Sequence, residues 1–296
     1  MTHLTPAQRT AYAAEGYLAP LDVLSSAEAA GCAQRVAAVL APCRGRPDAR
    51  LRNSPHLLLR WMADLVRDPR VLDPISDLLG PDLLVLRTTL FVKPPRDNGT
   101  VAWHQDLAYW DLSSDETLTA WIAFTDSTSG NGCVRVMPTS HRGPLLRHRL
   151  GNDQYNRLLR GQLVNVQATP DRIADLTLRA GQMSLHHGLT LHSSDANQSD
   201  ATRAGLAVRF IAPHVRQRGP WPSAMLVRGH DRHGHYTLLP APRFDGDPLA
   251  RAWHRRCLRH YAAHVLWQVA RHPSPQHFAL LARLITRGDY LRALRD

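Results

Sequence analysis

The sequence is almost without lysine. Of its 36 Lys plus Arg residues only Lys93 is a lysine, and against 25 acidic residues the formal net charge is +11. The arginines are spread along the chain, and no basic run carries interleaved aromatics, so the charge reads as compositional bias and no nucleic-acid partner is expected. The positive field still favours anionic small molecules. No run reaches the length of apolar residues needed to span a bilayer, so no membrane association is expected. The four cysteines, Cys32, Cys43, Cys133 and Cys257, are far apart and lack C-x-x-C spacing. That excludes a zinc ribbon and a disulfide framework and suits a reducing, cytoplasmic setting. Residues 1–20 have no apolar core, so no signal peptide is read there.

What is present is an ordinary globular composition, with 44% hydrophobic residues. Thr5-Pro6-Ala7-Gln8 and Ser25-Ser26-Ala27-Glu28 have capping-box spacing, and the first forty residues read as helical. Residues 57–79 carry apolar residues at spacings of three and four and read as a further helix. From about residue 83 short β-branched and aromatic runs alternate with turn residues: 83–92, 118–124, 133–137, 162–166, 183–187 and 206–211. After Arg216 a loop-rich stretch leads to two helices, 248–271 and 275–294. The expected fold is mainly β with flanking α-helices. One domain over 1–296 is expected: a helical part over about 1–80, a β core over about 83–212, and a loop and helical part over about 217–296.

The chemistry starts at Trp103-His104-Gln105-Asp106. On a strand, residues two apart face the same side, so His104 and Asp106 can reach one cation. A third ligand from a distant strand makes a 2-His-1-carboxylate triad, whose open positions suit a non-haem Fe(II) oxygenase. His-x-Asp alone is weak in a chain with 17 histidines. His192 follows an apolar strand-like run, and Arg203 lies eleven positions further on. His192 is a candidate third ligand, with His186 and His187 as competitors. A buried Arg203 suits a carboxylate, which a guanidinium binds through two parallel hydrogen bonds. The plainer reading of Arg203 is a surface ion pair with Asp195 or Asp200.

Five motifs then fall in order: Phe91-Val92-Lys93-Pro94-Pro95; Trp103-His104-Gln105-Asp106; Thr119-Ala120-Trp121; Asn131-Gly132-Cys133 running to Pro138-Thr139-Ser140-His141; and His192-x-Ser194-x-x-Asn197-x-Ser199 with Arg203, running on to Val208-Arg209-Phe210. With these the chain resembles the phytanoyl-CoA dioxygenase family, from about residue 4 to 216. The resemblance implies a double-stranded β-helix, a jelly roll of the cupin kind. It implies Fe(II) held by His104, Asp106 and His192, and 2-oxoglutarate paired with Arg203 and lined by Trp121, Ser194 and, more distantly, Thr89. Thr139 stands where that family usually has Gly, and Ala196 where it often has Pro. Related halogenases have a small residue in place of the carboxylate, so Asp106 argues for hydroxylation or another oxidation.

The resemblance further implies that O2 and 2-oxoglutarate are consumed and that succinate and CO2 are released as an unactivated C–H bond of a small molecule, one of specialised metabolism, is oxidised. Trp103, Tyr109, Trp110, Met183 and His187 are candidates for the substrate wall; the plainer reading of each is core packing. The long loops 143–161 and 217–246 are candidate lids, rich in Arg and His. Two other classes stay open: a non-catalytic jelly-roll binding protein and a zinc-dependent cupin-like enzyme.

Overall fold

A computed structural model describes residues 3–43, 45–150, 155–158 and 162–271. The helices are α1 (Pro6–Glu15), α2 (Ser26–Leu40), α3 (Ala49–Arg52), α4 (Arg60–Leu65), α5 (Pro69–Leu79) and α6 (Pro248–Arg271). The strands are β1 (Tyr17–Asp22), β2 (Leu83–Lys93), β3 (Val101–His104), β4 (Thr117–Ala123), β5 (Val134–Val136), β6 (Arg149–Leu150), β7 (Gln162–Leu163), β8 (Ala174–Leu176), β9 (Gln182–His187), β10 (His192–Ser194), β11 (Arg203–Ile211), β12 (Ser223–Arg228) and β13 (Thr237–Leu238). The mainly β architecture with flanking helices is the expected one. None of the described helices is long and apolar enough to cross a membrane.

Both capping boxes form. Thr5 Oγ1 accepts from the Gln8 amide while Gln8 Oε1 accepts from the Thr5 amide, and Ser25 and Glu28 repeat the exchange. Three readings of the sequence need correction. Between α1 and α2 the chain forms β1, so the first forty residues are not all helical. Tyr17 and Leu18 pair with His186 and Leu185, and this tertiary pairing overrides local helical composition. The expected helix over 57–79 is two helices, because Asp68 caps α5 and Pro69 occupies its first turn. The loop-rich stretch after Arg216 contains β12, whose Met225 and Leu226 pair with Val85 and Leu84. The expected helix over 275–294 lies outside the described residues.

The chain divides into two compact units: residues 1–47, 90–109 and 118–207, and residues 48–89, 110–117 and 208–296. In the first unit β3, β10, β5 and β8 lie side by side in that order as a four-stranded sheet. Facing it are β1, β9, β4 and the first half of β11, also neighbours in order. Between the two layers Trp121, Ala123 and Ala207 pack against Val134, Val136, Leu176 and Leu178. Val136 is fully buried, and a core valine of this kind contributes about 1.5–3 kcal/mol. This is the double-stranded β-helix.

In the second unit α6 buries a stripe of His254, Cys257, Leu258, Tyr261, His264 and Val265. Their spacings of three and four are those of one helix face.

Candidate active site

β3 ends at His104, and β10 begins at His192; the two histidines are directly opposed in the antiparallel pair. Their rings are 4.0 Å apart, centroid to centroid. Each Nδ1 points at a backbone carbonyl two residues back, His104 at Ala102 O (2.8 Å) and His192 at Thr190 O (2.9 Å). A carbonyl only accepts, so each Nδ1 carries the proton and each Nε2 presents a lone pair. Burial, with His104 and His186 beside it, holds the His192 pKa well below the usual imidazole value. The ring is therefore neutral, as a metal ligand must be.

Asp106 does not lie on a strand. It opens a 3-10 turn over Asp106–Tyr109. The expectation that alternation on a strand brings His104 and Asp106 to one side is thus corrected: the turn does it. Thr119, on β4, donates from Oγ1 to Asp106 Oδ2 at 2.6 Å. Asp106 Oδ1 lies 3.6 Å from His104 Nε2 and 3.9 Å from His192 Nε2. Ligand atoms of the three residues lie within 4.8 Å of one another, and all three side chains are buried. Among the described residues no other group of three His, Cys, Asp or Glu side chains converges this way. Two imidazole nitrogens and one carboxylate oxygen on one side of a cation leave its other positions open. That donor set fits Fe(II).

Arg203 begins β11 and is 2% exposed. Its guanidinium carbon sits 4.1 Å from the centre of the Trp121 ring. That approach depends on Gly205: a Cβ there would fall 2.3 Å from Trp121 Cζ2. Nε of Arg203 donates to Ser127 Oγ at 3.4 Å, and Nη2 is buried with no hydrogen-bond partner. Burial lowers its pKa to about 10, so it stays cationic at neutral pH. A buried cation with an unused donor fits an incoming carboxylate such as that of 2-oxoglutarate. The surface ion-pair reading of Arg203 fails, since Asp200 pairs with Arg96 and Asp195 with Arg135.

Ser194 is placed differently from expectation. Its Oγ donates to Gly132 O (2.7 Å) and accepts from Lys93 Nζ (2.6 Å). Lys93 also donates to the Asp195 carbonyl. The Asn197 amide nitrogen donates to the carbonyls of Lys93, Pro94 and Ala201. At Gly132 (φ +76°) a Cβ would meet the same Asp195 carbonyl. Four motif residues therefore latch the end of β10, and with it His192, to the end of β2 and to the turn at Gly132. Lys93, buried beside Arg203, has its pKa lowered to about 7, first by burial.

Among the expected substrate residues, Tyr109 sits at the metal side, edge-on to His104 at 5.9 Å and to His148 at 6.0 Å. Trp103 instead packs with Met137, Val164 and Leu191. Met183 and His187 alternate along β9 with Ser184 and His186, and it is the His186 ring that lies against His192, tilted, at 4.4 Å. Met183 and His187 therefore face the other side, where the His187 ring neighbours His141 at 5.5 Å. Trp110 and Thr89 belong to the second unit, where Trp110 neighbours Tyr261 and Thr89 accepts from Arg209.

Sequence reasoning missed four residues. Thr119 had a signal, since it stands two before Trp121 on a strand and so shares its face. Ser184 pairs with Trp121 across the sheet, and its hydroxyl is fully buried without a hydrogen-bond partner. Gln105, between two ligand residues, is fully buried: its amide nitrogen donates to Leu189 O at 2.9 Å and Pro144 O at 3.3 Å, and its Oε1 accepts from Leu146 N. His148 Nε2 accepts from the Gln105 backbone amide at 3.0 Å. Residues 144–148 of the expected lid are thus tied to the turn that carries Asp106.

Comparison with known proteins agrees. A family model described as phytanoyl-CoA dioxygenase (PhyH) matches residues 12–205. A probable alpha-ketoglutarate-dependent hypophosphite dioxygenase of Stutzerimonas stutzeri is 28% identical over 187 residues, 63% of this chain and 62% of that protein. The peroxisomal phytanoyl-CoA dioxygenase of Homo sapiens is 28% identical over 151 residues, 49% of this chain and 44% of that one. The chain thus spans less than two thirds of the length of these curated relatives. A solved structure of the non-heme monooxygenase ThoJ in its apo form is 30% identical, with a TM-score of 0.79, over 89% of this chain and 99% of that one. The matched residues hold His104, Asp106, His192 and Arg203, and the chain belongs to the phytanoyl-CoA dioxygenase family.

Proposed function

We propose that the chain is an Fe(II)- and 2-oxoglutarate-dependent dioxygenase that hydroxylates, or otherwise oxidises, an unactivated C–H bond of a small molecule of specialised metabolism. The observation that carries this is the pairing of a buried His104–Asp106–His192 donor set with a buried Arg203 whose Nη2 has no partner. When bound, Fe(II) and 2-oxoglutarate supply the activation of O2, with succinate and CO2 as co-products. The protein's own residues do the rest. His104 and His192 offer Nε2 because backbone carbonyls hold Nδ1–H, and Asp106 offers Oδ1 because Thr119 holds Oδ2. Arg203, packed on Trp121, orients a dicarboxylate by its distal end. Gln105 ties the 144–148 segment to the turn that carries Asp106 and so holds Asp106 in position.

The experiment is anaerobic equilibrium dialysis with Fe(II), then with 2-oxoglutarate, followed by succinate detection in air with candidate substrates. One ferrous ion per chain and 2-oxoglutarate uptake lost in Arg203→Met support the proposal. Activity with zinc and without 2-oxoglutarate would replace it with the cupin-like hydrolytic reading. Absence of any metal uptake would leave a binding protein.

A further inference from the structure

The second unit contains a buried guanidinium with no carboxylate paired to it among the described residues. Arg87, on β2, is 9% exposed. Its Nη1 donates to Cys257 Sγ on α6, and its guanidinium carbon lies 4.8 Å from the Tyr261 ring centre. Its Nε has no hydrogen-bond partner. Trp110, 8% exposed, approaches the same Tyr261 ring at 6.1 Å, and its indole Nε1 is also buried without an acceptor. His260 Nδ1, on the same helix as Tyr261, is a third buried nitrogen without a partner.

The two buried histidines of this cluster add no charge of their own. His56 bonds the Thr88 hydroxyl and His254 the Asn53 carbonyl. Burial, reinforced by the Arg87 charge, lowers their pKa values to about 3 and about 4, so both are neutral. Arg209, on β11, donates to Thr89, two positions along β2 from Arg87. Arginine cannot shed its proton to escape burial. An unpaired buried cation and orphaned N–H donors are among the most costly features a fold can retain. A ligand anion removes both costs at once.

With Nη1 held by Cys257, the free edge of Arg87 is the Nε side, which pairs with a planar two-oxygen group. One guanidinium with a neutral indole N–H suits a single negative charge rather than a phosphate dianion. The Tyr261 and Trp110 rings suit an apolar or aromatic body behind that charge.

We infer that Arg87, Trp110 and Tyr261 form a subsite in the second unit for the carboxylate of a small organic acid. The inference stands apart from the oxygenase reading, because it needs neither iron nor 2-oxoglutarate.

The test uses the full chain and benzoate, with benzamide as the uncharged control, at constant ionic strength. Benzoate is expected to raise the Tm saturably, by about 4 °C or more, and benzamide is not. The response should vanish in Arg87→Met and persist in Arg203→Met. Trp110→Phe, which keeps the ring and loses the donor, should weaken benzoate about tenfold, and it serves if Arg87→Met fails to fold. A response equal for benzamide, unchanged in Arg87→Met or Trp110→Phe, or lost instead in Arg203→Met overturns the inference. A panel of organic acids then separates two sources of the carboxylate. Acids that protect in an Arg87-dependent way and trigger succinate release are oxidised substrates; acids that protect without succinate release are ligands of another kind. Both results support the subsite, and failure of the oxygenase reading leaves the benzoate response intact.

Discussion

The two units bury the same residue types and put them to different uses. In the first, His104 and His192 turn both Nε2 lone pairs toward one carboxylate oxygen, and Arg203 lies nearby with an unused donor. In the second, His56 and His254 are as buried, and Arg87 nearly so, but the histidine nitrogens meet a hydroxyl and a carbonyl, and among the described residues no carboxylate converges on them. Burial and residue type therefore do not define a metal centre. Convergent lone pairs plus one fixed anion do, and the anion is fixed by Thr119.

The largest effect expected from breaking this contrast is at Asp106. Asp106→Ala should abolish Fe(II) retention and 2-oxoglutarate-dependent turnover, because two neutral imidazoles alone bind a divalent ion far more weakly. His254→Gln in the second unit should leave iron uptake unchanged. Ferrous ion retained after dialysis measures both, and iron loss in His254→Gln would erase the contrast. Next in size is Gly205→Ala. Its Cβ overlaps the Trp121 ring, so the Arg203 stack must shift. We expect a 10–100-fold rise in the Kd for 2-oxoglutarate, or about 1.4–2.8 kcal/mol, with iron uptake retained. Isothermal titration of 2-oxoglutarate onto the anaerobic iron-loaded protein checks it.

Acid should expose the histidines that bind no metal. His56, His254 and, in the first unit, His148 have folded pKa values of about 3, 4 and 4, all lowered chiefly by burial. Their unfolded value is near 6.5. Each is neutral in the fold and takes up a proton on unfolding, so its contribution is intact above pH 6.5 and is lost as pH falls below it. Each should add about 1.4 kcal/mol per pH unit to the acid slope between roughly pH 6 and 5. Urea midpoints at the two pH values measure the slope; His254→Gln should flatten it by one such increment. A slope unchanged in that variant would mean that His254 is protonated in the fold.

Much of the first unit was legible in the sequence, and the reason is local. Both capping boxes, the long strands and the ligand set announce themselves through short-range spacing and a turn-rich texture. What was illegible depends on partners distant in sequence. β1 exists because β9 lies beside it. Ser194 reads as a cosubstrate contact until Lys93, a hundred residues earlier, is seen to occupy its hydroxyl. The aromatics split in the same way: on β3, His104 faces the ligand set while Trp103 turns to Met137 and Leu191. The Arg87 cluster left no motif, since its members come from β2, residue 110 and α6.

The smallest expected effect compares one left-handed residue in each unit. Thr139 has φ +63° and Ser54 has φ +52°, in turns where glycine carries no steric cost. Thr139 is β-branched, so its side chain crowds the following carbonyl more than serine's does, and the left-handed conformation costs about 1–2 kcal/mol. Its amide still donates to Glu15 O at 2.9 Å, which ties the turn to the end of α1 and holds the strained conformation in place. Glycine at 139 relieves the strain but loosens the unfolded chain, which takes back about 0.5–1 kcal/mol. Thr139→Gly should therefore stabilise the protein by up to about 1 kcal/mol, net of those two terms. Ser54 is fully buried, and its hydroxyl has no hydrogen-bond partner. Ser54→Gly relieves a smaller clash and also removes that orphaned hydroxyl, so its gain has a second source. Chemical denaturation of Thr139→Gly, Thr139→Ser and Ser54→Gly separates the two. If Thr139→Ser recovers about half of the glycine gain, that half of the strain at 139 comes from the β-branch, and if it recovers none, the strain comes from the Cβ that threonine and serine share.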